Sequence, residues 1–160
     1  MLLGVVSDTH GQIAFTRQAV RMLAGLEIDE LIHCGDIGST AIIELFARWP
    51  THYVLGNVDY DAEGLRKEIE AVGHTYHGRF GSLERGGKRI AFLHGDDGPL
   101  FQQTVEGGKY DLVCHGHTHV ARHVREGNTV ILNPGALYRA NPHSFAIVEL
   151  PSLAVTHITV

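Results

Sequence analysis

Residues 2–10 read Leu2-Leu3-Gly4-Val5-Val6-Ser7-Asp8-Thr9-His10. An apolar run that stops at an acid and an imidazole two positions apart reads as a buried strand presenting polar side chains at its carboxyl end. The stretch after it, Ile13–Leu26, has apolar residues at Ile13, Ala19, Val20, Leu23 and Ala24, which fits a helix. Glu30–Cys34 is the next strand. Ser39 or Thr40 caps a helix that runs through about Trp49 and is ended by Pro50. His52–Leu55 reads as a third strand and Asp61–Val72 as a charged helix. Strand alternating with helix is the pattern of βαβ units.

The second half is richer in hairpins. Arg79–Arg85 and Arg89–His94 flank Gly86-Gly87, the signature of a two-residue turn. Pro99–Glu106 reads as a short helix and Asp111–Cys114 as a strand. Ala121–Arg125 and Val130–Leu132 flank a Gly127-Asn128 turn, and Ser144–Leu150 and Ala154–Val160 pair around Pro151. With no repeat, linker or low-complexity stretch, the expectation is one domain over residues 1–160, a mixed α/β sandwich with two sheets.

Composition narrows the function. The 160 residues are 44% hydrophobic and 19% charged, as in a globular domain. No apolar run approaches the roughly 18–20 residues that span a bilayer. The start lacks a basic flank and runs straight into polar residues, so it reads as a strand rather than a secretory signal, and the expected compartment is the cytoplasm. The formal charge of −5 argues against a broad basic surface and against stable nucleic-acid binding. Phosphate substrates stay open, because metal ions supply positive charge locally. Cys34 and Cys114 sit in apolar runs without C-x-x-C spacing and read as reduced, buried thiols.

The chain has 12 histidines, and their positions matter more than their number. Asp8 and His10 follow the first strand, Asp36 the second and Asn57 the third. His94 follows Arg89–Leu93, and His117 and His119 follow Asp111–Cys114. Gly-Asp and Gly-Asn alone are ordinary turn dipeptides. Five strand ends in order, each delivering a possible ligand to one rim, are not explained by turns. Imidazole with carboxylate suits Mn, Fe or Zn better than an all-oxygen Mg or Ca cage. A carboxylate can bridge two ions, which together activate water and clamp a phosphoryl group.

The fragments Ser7-Asp8-Thr9-His10, Gly35-Asp36, Gly56-Asn57, His94-Gly95, Gly116-His117-Thr118-His119 and Asn133-Pro134-Gly135 resemble the calcineurin-like metallophosphoesterases. The likeness is to their small single-domain bacterial and archaeal phosphodiesterase branch. The resemblance implies a four-layer α/β/β/α sandwich with two mixed β-sheets and a metal site at the carboxyl ends of strands. It implies one ion held by Asp8, His10, Asp36 and His119, and another by Asp36, Asn57, His94 and His117. Asp36 would bridge, Asn57 would face the phosphate, and Asp36, Asn57 and His94 would be the catalytic residues. Two divalent cations are expected, Mn2+ foremost, with Ni2+, Fe2+, Co2+ or Zn2+ as alternatives. The implied reaction is in-line attack on a phosphodiester by a hydroxide shared between the ions.

Larger members carry a histidine directly after Gly-Asn, where this chain has Val58. That leaves protonation of the leaving group to Asp59, His33, His123 or water. Gly135 is followed by Ala136, where the branch more usually has serine, and Tyr138 and Arg139 are expected to line a cleft there. Arg139 is a candidate phosphate contact. His115 and His33 read as supporting residues; His52, His74, His77, His143 and His157 read as exposed or incidental. The expected partner is a small-molecule phosphate ester, with no membrane, and a homo-oligomer is admitted on family habit alone. Competing readings are a phosphomonoesterase or nucleotide pyrophosphohydrolase on the same site, and a non-catalytic scaffold such as the same fold provides in the retromer coat.

Overall fold

The computed structural model describes residues 1–160. In chain order the elements are β1 (Leu2–Val6), α1 (Ile13–Gly25), β2 (Glu30–His33), α2 (Thr40–Leu45), β3 (Thr51–Tyr53), α3 (Ala62–Ala71), β4 (Thr75–Tyr76) and β5 (Phe80–Arg85). They continue with β6 (Lys88–Leu93), α4 (Gly98–Glu106), β7 (Leu112–Cys114), β8 (Arg122–Glu126), β9 (Thr129–Asn133), β10 (Ser144–Glu149) and β11 (Ala154–Thr159). One sheet has the order β11-β10-β1-β2-β3-β4 and the other β5-β6-β7-β9-β8. β1 to β4 are parallel, with the helices as crossovers, and β6, β7 and β9 are parallel in the second sheet. No helix is long and apolar enough to cross a membrane.

Alternation along the strands sorts side chains into three apolar layers. Leu3, Val5 and Ile32 meet Ile90, Phe92, Leu112 and Leu132 between the sheets. Val6 and Leu31 face the other way, onto Ala19, Leu23, Ile42, Ile43, Leu65 and Ile69 of α1, α2 and α3. Ala91, Leu93 and Val113 face Leu100 and Phe101 of α4. The result is the four-layer α/β/β/α sandwich, and strands buried on both faces explain the nearly unbroken apolar runs. Cys34 and Cys114 are buried free thiols in the layer between the sheets.

Local chemistry sets the boundaries. Ser39 caps α2 by accepting from Ala41 N, Asp61 caps α3 through Gly64 N, and Asp97 caps α4 through Leu100 N. Gly86 and Gly87 both have positive φ, 57° and 70°, which the tight β5–β6 turn requires. α2 ends at Leu45 rather than near Trp49, because the chain tightens into i→i+3 turns (Ala47 N to Glu44 O, Trp49 N to Phe46 O) that bury Trp49. β4, two residues long, has too short a pattern to read from sequence.

The histidines read as incidental are mostly structural. Glu30, 5% exposed, accepts Nε2–H of His52 at 2.7 Å and both Nε and Nη2 of Arg85 at 2.8 and 3.0 Å. His52 Nδ1 lies 2.9 Å from His77 Nε2. Since Glu30 and His52 belong to one sheet and Arg85 to the other, this cluster pins the sheets together. His74 is buried against Tyr53, and His157 donates to the Asn133 carbonyl at 2.8 Å.

Burial alone would raise the Glu30 carboxyl, but the bonds from Arg85 and His52 outweigh it and hold it below the ordinary carboxylate range. Its stabilisation is therefore complete above the unfolded-state value and is lost as pH falls through the lower folded one. Glu30→Gln is expected to cost about 1–3 kcal/mol at pH 7, less than a fully buried pair because Arg85 is partly exposed. In urea unfolding, the gap between wild type and variant should close as pH approaches the carboxylate range. A gap independent of pH would contradict this role.

Candidate metal centre

Each expected ligand is carried to one rim by the loop after its strand. In those loops Asp8, His10, Asp36, His117 and His119 have φ between 44° and 67°. Non-glycine residues rarely adopt this left-handed region, and such outliers gather where a site dictates backbone direction. Here the reversed backbone turns each side chain from the strand axis onto the rim.

The side chains converge on two carboxylates. Asp8, fully buried, has Oδ1 at 3.1 Å from His119 Nε2 and 3.8 Å from His10 Nε2. Asp36 Oδ2 is 3.3 Å from His10 Nε2 and 3.2 Å from His94 Nε2. His117 Nδ1 lies 3.1 Å from Asn57 Oδ1. Two groups have donor atoms close enough to share an ion: Asp8, His10 and His119, and Asp8, Asp36 and His94. Asp8 is common to both, while Asp36 touches an imidazole of each.

The donor set fits a divalent cation. Asp8 Oδ1, His10 Nε2 and His94 Nε2 are buried without a hydrogen-bond partner, all pointing into the same space, and natural structures seldom leave such atoms unpaired. Meanwhile the opposite faces of two rings are engaged: His94 Nδ1 donates to the Cys34 carbonyl at 2.9 Å and His119 Nδ1 to that of Arg139 at 3.4 Å. Outer bonds of this kind fix the tautomer and leave Nε2 as ligand. Burial raises the Asp8 and Asp36 carboxyls, but hydrogen bonds and the surrounding imidazoles outweigh it and keep both below their ordinary range. Burial pushes the other way on His94, where Asp36 and Asp8 prevail and raise it.

The four further candidates separate clearly. Arg139 lines a cleft of about 500 Å³ together with His10, Asp36, Asn57, Val58, His117, His119 and Tyr138. Asp59 is a strut: it is 7% exposed and accepts from Gly38 N at 2.9 Å and Gly56 N at 2.8 Å, and it does not line that cleft. His33 is fully buried, and burial pushes it down to about 3, so it stays neutral and does not protonate a leaving group. It accepts from Gly35 N and donates to Thr9 Oγ1, tying the Asp8–His10 and Asp36 loops together. His123 is exposed on β8 and stacks on His157, and it does not line that cleft. His115 packs on Phe101, with ring centres 4.7 Å apart, and does not line the cleft either.

Two supports escaped the sequence reading. Arg79 donates to the Gly56 carbonyl at 3.2 Å and pairs with Asp96, joining the loops that carry Asn57 and His94. Nothing distinguishes Arg79 from other arginines in the sequence. Asn133 donates to both Gly116 O and Thr118 Oγ1, at 2.9 and 3.0 Å, bracing the His117–His119 loop. Its Asn-Pro-Gly context was visible, but only as a turn.

A two-sheet α/β sandwich with imidazoles and carboxylates gathered on one strand-end rim is the build of a metal-dependent hydrolase. The chain belongs to the calcineurin-like phosphoesterase superfamily, whose domain model matches residues 1–152. It is 26% identical over 138 residues to a phosphodiesterase of Methanocaldococcus jannaschii, covering 84% of this chain and 83% of that protein. Among solved structures, an archaeal phosphodiesterase superposes with a TM-score of 0.92 at 24% identity over the whole of both chains. Vacuolar protein sorting 29 from Cryptosporidium parvum superposes with a TM-score of 0.66 at 18% identity, over 99% of this chain and 96% of that one.

Proposed function

We propose that this chain hydrolyses phosphodiesters using two divalent cations, Mn2+ foremost, held by Asp8, His10, Asp36, Asn57, His94, His117 and His119. The observation that carries the reading is the Asp36 carboxylate lying within 3.3 Å of the His10 and His94 imidazoles, beside three buried donor atoms with no partner. Bound at such a site, divalent ions lower the pKa of water and polarise phosphoryl oxygens. In this reading Asp36, which touches an imidazole of each donor group, would serve both ions. Asn57 uses Oδ1 beside His117 and turns its amide N–H groups toward a phosphate oxygen. His94, clamped by the Cys34 carbonyl, holds Nε2 in a fixed direction.

Val58 gives the leaving group no proton, and Asp59 and His33 are engaged elsewhere. Substrates with stable leaving groups, such as aryl diesters, are therefore favoured. The cytoplasm is the proposed compartment, consistent with two free thiols. A scaffold reading has support in the likeness to vacuolar protein sorting 29, but the full set of ligand side chains favours catalysis.

The test is an aryl diester and an aryl monoester assayed against Mn, Ni, Co, Mg and Zn. Diester turnover should vanish on dialysis against a chelator and return with Mn2+. A preference for the monoester would favour the phosphomonoesterase reading, and a protein that binds no metal would favour the scaffold.

A further inference from the structure

The loop after β9 supplies the part of the cleft that the ligands do not. It is tied down at both sides: Leu137, fully buried, donates its N–H to the Ser7 carbonyl at 3.4 Å, and Ser144 Oγ donates to the Pro134 carbonyl at 2.8 Å. Beyond Leu137 the Tyr138 ring lies 5.1 Å from the His10 ring, and the Arg139 guanidinium carbon lies 5.1 Å from the Tyr138 ring centre. Arg139 has φ of 46°, and its carbonyl accepts from His119 Nδ1. Its backbone is thus locked against a ligand histidine, while its side chain is exposed and makes no ion pair with any carboxylate.

A left-handed backbone fixed against a ligand histidine sets where the Arg139 side chain starts, beside the ligand rim. With Tyr138 beside it and no carboxylate paired to it, the guanidinium keeps its N–H groups for a planar, bidentate anion, and a neighbour that limits its freedom lowers the entropy lost on binding. The reacting phosphate already has the ligand rim and Asn57, while the Arg139 guanidinium lines the same cleft without an ion pair to the Asp8 or Asp36 carboxylate. We propose that Arg139, braced by Tyr138, binds a second phosphate on the substrate. The preferred ester then carries a phosphomonoester group in addition to the diester that is cleaved. This rests on the hydrolytic reading above for the first phosphate.

A matched pair tests it: the p-nitrophenyl ester of thymidine 5′-phosphate, with and without a 3′-phosphate, on the Mn2+-loaded protein. Both release the same phenolate, so only the second phosphate differs. Wild type should favour the 3′-phosphorylated ester by about tenfold or more in kcat/KM, chiefly through KM and falling with salt. Arg139→Gln should bring the ratio to within about twofold, and Arg139→Lys should keep part of it. A wild-type ratio near one, or one that Arg139→Gln leaves intact, overturns the proposal. If wild type cleaves neither ester, the hydrolytic reading fails separately. Calorimetry with thymidine 5′-phosphate and thymidine 3′,5′-bisphosphate then decides the Arg139 site by the same ratio in Kd.

Discussion

Asp36→Asn is expected to lower kcat/KM on an aryl diester by about a thousandfold or more, equivalent to ~4 kcal/mol of transition-state stabilisation. Asp36 Oδ2 stands 3.3 Å from His10 Nε2 and 3.2 Å from His94 Nε2, between the two halves of the ligand set. Asparagine offers one oxygen and an amide that donates. Its remaining oxygen can still take the Val58 N–H that Asp36 Oδ1 accepts at 3.1 Å, so the loop should keep its shape. The amide then faces the imidazoles, and an amide nitrogen is no substitute for a carboxylate oxygen as a metal ligand. Elemental analysis should find fewer ions per chain, with the thermal midpoint of the metal-free protein nearly unchanged. Near-wild-type turnover with a full metal complement would refute the role given to Asp36.

The second large effect comes from one methyl group. A Cβ built on Gly56 lies 2.0 Å from Asp36 Oδ1 and 2.5 Å from Asp36 N, so side chain and backbone are both in its way. The neighbouring loops cannot yield freely: Asp59 holds Gly56 N, Arg79 holds its carbonyl, and Val58 N is bonded to Asp36. Gly56→Ala should cost about 1–3 kcal/mol of stability. Forcing Asp36 aside by about 1 Å should lower kcat/KM by about a hundredfold or more. Gly25→Ala is the control, since nothing lies within 4 Å of its Cβ position, and it should retain both stability and activity. Comparable losses in the two variants would show that the Gly56–Asp36 approach is not what the site depends on.

The two-sheet α/β sandwich was legible because strand-like apolar runs alternate with helical stretches and hairpins, whereas the four layers followed only from the family resemblance. Ile90 and Phe92 point into the space between the sheets while Ala91 and Leu93 point to α4, so this strand is apolar on both faces and its period of two does not show in the sequence. The convergence of Asp8, His10, Asp36, Asn57, His94, His117 and His119 was legible for a related reason. Each follows an apolar run whose parallel pairing brings strand ends to one edge.

What was not legible depends on contacts distant in the chain. Glu30 meets Arg85 across 55 positions, so His52 looked incidental although it completes a buried cluster. The left-handed conformation of Asp8, His10 and His119 leaves no trace in residue type, since none is glycine. His33 and His123 looked alike as proton donors. Only burial separates a neutral strut from an exposed ring on β8.

The account depends on paired cations within this rim, and anomalous diffraction from crystals loaded with Mn2+ reads that directly. Two peaks about 3.5–4 Å apart are predicted, one beside Asp8, His10 and His119, the other beside Asn57, His94 and His117, with the Asp36 carboxylate reaching both. Manganese elsewhere on the chain, or a rim in which Asp36 and His94 remain paired to each other with no ion between the ligands, would contradict it.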